Sequence, residues 1–159
     1  MRGSPIGLQK IRRHGLTWGP PAPNTDETVA DRRWVLIADD DEVIRQLWAE
    51  ALTQAGYRTI EARGGQAAVD LMCAVVPDLI ILDLHMPDLS GDDLLQRLRP
   101  SPVLRGLPVL IVSGFLEAEP HDTSGLNIVG MLSKPISLAE LLPSVKSALT
   151  NARPMNRSG

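Results

Sequence analysis

The chain of 159 residues has a single cysteine, Cys73. That excludes an intrachain disulfide framework and every zinc site built on several thiolates. Cys73 lies within an apolar run and reads as a small core residue rather than a nucleophile. Long hydrophobic stretches are missing too. The longest, Leu71 to Val76, has six residues, against the ~20 of a membrane-spanning helix. No apolar stretch of the secretory kind opens the chain, so the expectation is a cytoplasmic protein without a membrane partner.

Positive charge is scarce where nucleic acid would need it. The formal net charge is −3, unevenly laid out: residues 1–33 carry six basic and three acidic groups, residues 34–150 eight and sixteen. The acidic middle opposes a phosphate backbone, so no nucleic-acid partner is expected, and it suits a metal ion.

What is present reads as one folded domain between loose ends. Hydrophobic residues make up 43% and charged residues 22%, which argues against wholesale disorder. Residues 1–33, with Gly3, Pro5, Gly7, Gly15 and the run Gly19-Pro20-Pro21-Ala22-Pro23, read as a flexible arm. Its cluster Lys10, Arg12, Arg13 and His14 is either a solvated tail or a contact for an acidic partner. Residues 34–150 form the domain and residues 151–159 a second tail.

Within the domain, apolar runs at Trp34–Ala38, Tyr57–Ala62, Leu79–Leu82, Pro108–Val112 and Ile128–Leu132 predict strands, the most apolar of them buried on both faces. Helical spacing follows at Ile44–Ala55, closed by Gly56, then from Gln66 to Val76 and around Asp92 to Arg99. The interval Phe115 to Gly125 is poorly patterned and broken by Pro120. A last helix opens with Ser137-Leu138-Ala139-Glu140, a capping-box pattern, and Pro143 inside it predicts a kink or a shifted start. This alternation predicts a doubly wound, flavodoxin-like α/β fold with a five-stranded parallel sheet.

Polar residues gather where the apolar runs end: Asp39-Asp40-Asp41, Asp83, Ser113-Gly114 and Ser133-Lys134-Pro135. In a parallel sheet all these ends share one edge, where ligands bind. With strand order 2-1-3-4-5, Asp39, Asp40 and Asp83 converge. Carboxylates so close repel one another, and a divalent cation relieves this; oxygen ligands without Cys or His favour Mg²⁺. Lys134 and Ser113 add a positive charge and a hydroxyl for an anion. A carboxylate nucleophile, a metal, a cation and a hydroxyl fit phosphoryl transfer. Asp41 reads instead as the cap of the first helix.

The stretches Val35-Leu36-Ile37-Ala38-Asp39-Asp40-Asp41, Leu79-Ile80-Ile81-Leu82-Asp83-Leu84-His85-Met86-Pro87-Asp88-Leu89-Ser90-Gly91, Val109-Leu110-Ile111-Val112-Ser113-Gly114 and Lys134-Pro135 resemble the receiver domains of bacterial two-component response regulators, of the single-domain, chemotaxis-regulator kind. The likeness spans roughly residues 34–150. It implies a phosphoacceptor rather than an enzyme. Asp83 would receive a phosphoryl group from a sensor histidine kinase or histidine phosphotransfer protein. Mg²⁺ would sit on Asp39, Asp40, Asp83 and the backbone carbonyl of His85. Lys134 would pair with a phosphate oxygen, the Ser113 hydroxyl beside Gly114 would move to the phosphate, and the bond to Pro135 would be cis. Gly91 would ease the turn into the third helix. The imidazole of His85 either tunes hydrolysis or faces water. One departure concerns the switch: Met131 stands where the family usually has an aromatic.

Two other functions share some of these features. Asp39-x-Asp41-x-Val43 resembles the nucleophile motif of haloacid-dehalogenase-type phosphatases, which carry a further late acidic pair that this chain lacks. A receiver-like module that signals by binding, without phosphorylation, is motivated by Met131. Only about nine residues follow the last helix, so the expected output is protein–protein contact.

Overall fold

A computed structural model describes residues 33–114, 116 and 120–152 of the chain. The expected N-terminal arm, but for Arg33, and the tail beyond Ala152 lie outside the described residues. Element order is β1 (Trp34–Ala38), α1 (Glu42–Gln54), β2 (Arg58–Ala62), α2 (Gly65–Ala74), β3 (Leu79–Leu82), α3 (Gly91–Leu98), α4 (Pro102–Arg105), β4 (Val109–Ser113), β5 (Ile128–Ser133) and α5 (Leu138–Asn151). The strands form one parallel sheet, as the alternation predicts, in the order β2-β1-β3-β4-β5 that brings the acidic strand ends together.

Side-chain alternation along the three central strands divides the core into two layers. Leu36, Ala38, Ile80, Leu82, Val109 and Ile111 face one side with α2 and α3. Val35, Ile37, Leu79, Ile81, Leu110 and Val112 face the other, against Trp48 and Leu52 of α1 and Leu141 and Val145 of α5. That is why β1, β3 and β4 read as continuous apolar runs. The edge strand β5 is half-buried and alternates, leaving Val129 and Met131 exposed.

Local chemistry sets the helix ends. The Asp41 carboxylate accepts from the backbone N–H groups of Val43 (2.9 Å) and Ile44 (3.2 Å), capping α1. Gly56 ends it at φ +97°, with its own N–H on Thr53 O and the Tyr57 N–H on Leu52 O. That is a Schellman closure, which needs a left-handed residue. Of the kink or shifted start expected at Pro143 of α5, the shift does not occur. Ser137 stays the N-cap, its N–H and hydroxyl both donating to the Glu140 carboxylate at 2.9 Å, and Pro143 lies inside the helix.

One expectation is corrected and one element is new. Cys73 is exposed, not core: α2 buries Ala68 and Met72, and the next residue points about 100° away around the helix. The short helix α4, unforeseen in sequence, starts at Ser101, whose hydroxyl accepts from Leu104 N–H, with Pro102 in its first turn. Between β4 and β5 the described residues contain no helix. That stretch is tied to α3 by Arg99–Asp122 (2.9 Å) and His121–Asp92 (3.0 Å). Two hydrogen bonds from Ser124, then Arg99, hold the Asp122 carboxyl down to a pKa of about 2.

Candidate phosphoryl-acceptor site

The sheet register continues one residue past the strands. Ala38 pairs with Leu82, and beyond them the Asp83 N–H donates to Ala38 O (2.9 Å) and the Asp39 N–H to Ala62 O (3.2 Å). Asp39 and Asp83 therefore emerge side by side at the carboxyl edge. One carboxylate oxygen from each of Asp39, Asp40 and Asp83 falls within 4.8 Å of the others. Asp39 is fully buried, Asp83 nearly so, and Asp40 exposed.

Lys134 comes from the far side of the sheet. Ser113 pairs with Ser133, the Lys134 N–H donates to Ser113 O (2.9 Å), and the Lys134–Pro135 bond is cis. The Lys134 Nζ donates to Asp39 Oδ2 at 2.6 Å and to Asp83 Oδ2 at 3.2 Å. The other oxygens also accept: Asp39 Oδ1 from the Asp41 N–H (2.9 Å) and Asp83 Oδ1 from the His85 N–H (3.0 Å). Burial pushes the Asp39 carboxyl above its usual range despite Lys134. Burial alone would depress the Lys134 ammonium, but the hydrogen bond and charge of Asp39, then Asp83, outweigh it and hold it protonated.

Charge counting identifies what the cluster lacks. Three carboxylates against one ammonium leave two negative charges, which a divalent cation neutralises. All three donors are hard oxygens, as Mg²⁺ requires. The residues fit the ion. Asp40 contributes charge and little packing. Asp40→Ala should therefore weaken Mg²⁺ binding at least ~10-fold, the scale of losing even an outer partner. In metal-free buffer its stability should match or exceed wild type, since repulsion falls. Magnesium titration and melts in chelator check both; a destabilised variant would contradict the assigned role.

Ser113 ends β4 fully buried, and its Oγ lies 3.2 Å from the His85 ring Nδ1. Gly114 follows in an exposed turn where an added Cβ meets nothing within 4 Å. Met131, exposed on the half-buried edge strand β5, is outside the carboxylate cluster.

Three residues outside the expected set, Arg45, Trp48 and Asp88, make contacts around the site. The Arg45 guanidinium donates to Asp39 O (2.9 Å) and pairs with Glu61 (3.3 Å), fixing the acidic loop. The Trp48 ring lies 5.8 Å from Lys134 Nζ, a cation–π contact. Asp88 accepts from Gly65 and Gln66 N–H (both 3.1 Å), tying the loop after Asp83 to α2. Its signal was the pair Gly64-Gly65, a helix start without a capping side chain of its own. Gly91 has a different purpose from the expected relief of a turn: a Cβ there would meet Leu84 Cα at 2.6 Å and Asp83 O at 2.7 Å.

A 2-1-3-4-5 sheet with acid, hydroxyl and lysine on its carboxyl edge is the arrangement of a receiver domain. The response regulator receiver domain family matches residues 35–146, and the chain belongs to that family. The chain is 32% identical over 119 residues to the polar-differentiation response regulator DivK of Brucella ovis, covering 74% of this chain and 97% of that protein. The receiver domain of a signal transduction histidine kinase from Syntrophus aciditrophicus is similar in structure, with TM-score 0.68, 27% identity and coverage of 80% and 97%. A CheY-like receiver domain from Methylobacillus flagellatus gives TM-score 0.64 and 28% identity over 74% of this chain and 98% of its own. Receiver domains are signalling phosphoacceptors that bind Mg²⁺ in an acidic pocket and work with kinases or phosphotransfer proteins.

Proposed function

We propose that Asp83 accepts a phosphoryl group from a phosphohistidine on a sensor histidine kinase or histidine phosphotransfer protein, and that the domain of residues 34–150 then signals by protein–protein contact. The observation that carries this reading is Asp83 beside Asp39 and Asp40, with Lys134 joined to both Asp39 and Asp83.

An Asp83 carboxylate oxygen attacks phosphorus, the phosphorus–nitrogen bond of the donor breaks, and its electron pair returns to the donor imidazole. Asp39, Asp40, Asp83 and the backbone carbonyl of His85 would hold Mg²⁺, which offsets charge on the transferring oxygens when bound. Lys134 would neutralise a phosphoryl oxygen and Ser113 would donate to another. These groups position and neutralise, which is most of what phosphoryl transfer asks of a protein. Asp39 is the more tightly held of the two carboxylates, fully buried and 2.6 Å from Lys134 Nζ against 3.2 Å for Asp83. That favours a phosphoacceptor over a dehalogenase-type phosphatase.

Incubation with acetyl phosphate tests the reading by intact mass. Wild type should gain about 80 Da, one phosphoryl group, with Mg²⁺ and not with chelator, and Asp83→Asn should gain nothing. Unlabelled wild type would leave a module that binds without phosphorylation.

The departure at Met131 has its own expected result. Methionine has many rotamers of similar energy, a poor two-state element, and Met131 lies exposed on the edge strand β5. Beryllofluoride, which mimics the phosphoryl group on Asp83, should alter amide exchange in residues 113–120 more than in 128–132. Equal changes would show that Met131 switches as an aromatic does.

A further inference from the structure

We propose that His85 is a positioning residue for Ser113, holding its hydroxyl away from the acceptor until a phosphoryl group competes for it; this rests on the phosphoacceptor reading above. The juxtaposition is specific. His85 follows Asp83 by two residues, and its N–H is fixed on Asp83 Oδ1 at 3.0 Å. Its ring reaches across to the adjacent strand, where Nδ1 lies 3.2 Å from Ser113 Oγ. One residue thus touches the acceptor through its backbone and the hydroxyl through its side chain.

A serine hydroxyl has one hydrogen to donate. If it points at Nδ1, a phosphoryl oxygen must take that hydrogen from the ring. Nδ1 is taken as the acceptor, because a ring N–H donating to Oγ would leave the serine hydrogen available to phosphate at no cost. With Nδ1 as acceptor, engagement of Ser113 by phosphate costs one hydrogen bond to His85. Ser113 is fully buried while His85 is exposed, so the ring can leave into water and the hydroxyl cannot. His85 therefore biases the resting arrangement and raises the threshold for switching, as a ligand-sensitive two-state element requires.

The test is a double-mutant cycle read by fluorine NMR titration of beryllofluoride at saturating Mg²⁺. His85→Ala should bind several-fold more tightly than wild type, the scale of one net hydrogen bond. His85→Asn should stay near wild type, because its amide replaces ring Nδ1 at similar reach. Ser113→Ala should bind more weakly, and His85→Ala should have no further effect in that background. An unchanged or weakened His85→Ala, or the same gain in both backgrounds, would overturn the proposal while leaving Asp83 as acceptor. If wild type does not bind beryllofluoride, or Asp83→Asn binds it equally well, the acceptor reading falls and this inference with it.

Discussion

Lys134→Met should cut acetyl-phosphate labelling about 10²-fold, the scale of removing one preorganised charge from a transferring group. It should also destabilise the metal-free protein by about 2 kcal/mol. Methionine keeps the length of the side chain over Trp48 but not the ammonium, so the fully buried Asp39 loses its 2.6 Å partner. Breaking a buried pair commonly costs about 3–5 kcal/mol. The loss is smaller here because Lys134 is itself 18% exposed and Asp39, already raised by burial, can take up a proton.

The pH dependence follows from that proton. An acid whose folded pKa lies above its unfolded value destabilises the fold when ionised. The penalty is full above the folded pKa and vanishes below the unfolded one. The deficit of Lys134→Met should therefore be largest at neutral pH and shrink on acidification. In wild type the raised Lys134 pKa works the other way, its contribution being present through neutral pH and lost only as alkali passes that pKa. Saturating Mg²⁺ should narrow the deficit, and the variant should bind Mg²⁺ more tightly, since the ammonium no longer repels the ion. Urea melts with chelator or Mg²⁺ check each part; equal stability in chelator would show that the pair carries nothing.

Gly91→Ala should cost about 3 kcal/mol, the upper range for overpacking. The added carbon would lie 2.6 Å from Leu84 Cα and 2.7 Å from Asp83 O, and neither backbone atom can rotate away. Helix propensity alone predicts the opposite sign, a gain of up to ~1 kcal/mol for glycine to alanine inside a helix. The sign of the change therefore separates the two arguments. Because the displaced atom is the carbonyl of Asp83, phosphorylation should slow as well. Gly106→Ala is the control: its nearest contacts are 3.7 and 3.8 Å, and it should change stability little. A neutral Gly91→Ala would show that the backbone there yields.

The three central strands were legible because residues buried on both faces leave an unbroken apolar run, followed by a polar residue at the functional edge. Asp39, Asp83, Ser113 and Lys134 could be placed on one edge for that reason, and side by side once the order 2-1-3-4-5 was taken. Capping by distant residues was harder. Asp88 reaches α2 from 22 and 23 residues away, and Arg45 grips a carbonyl rather than a side chain, so neither leaves a local pattern. Cys73 failed because an apolar run of six hides its helical phase. α4 is a single turn, too short for periodicity to show, and only Ser101-Pro102 marks its start. Gly91 was noticed for its residue type, but the backbone it packs against belongs to the third dimension.

The most direct test is to trap the acceptor chemically. Borohydride reduces an aspartyl phosphate to homoserine, so treatment after acetyl phosphate and Mg²⁺ marks the residue that carried the phosphoryl group, and peptide sequencing by mass spectrometry locates it. Homoserine at position 83 alone, absent when chelator replaces Mg²⁺, is the predicted result. Homoserine at position 39, 40 or 41, or at no position, would contradict the assignment of Asp83.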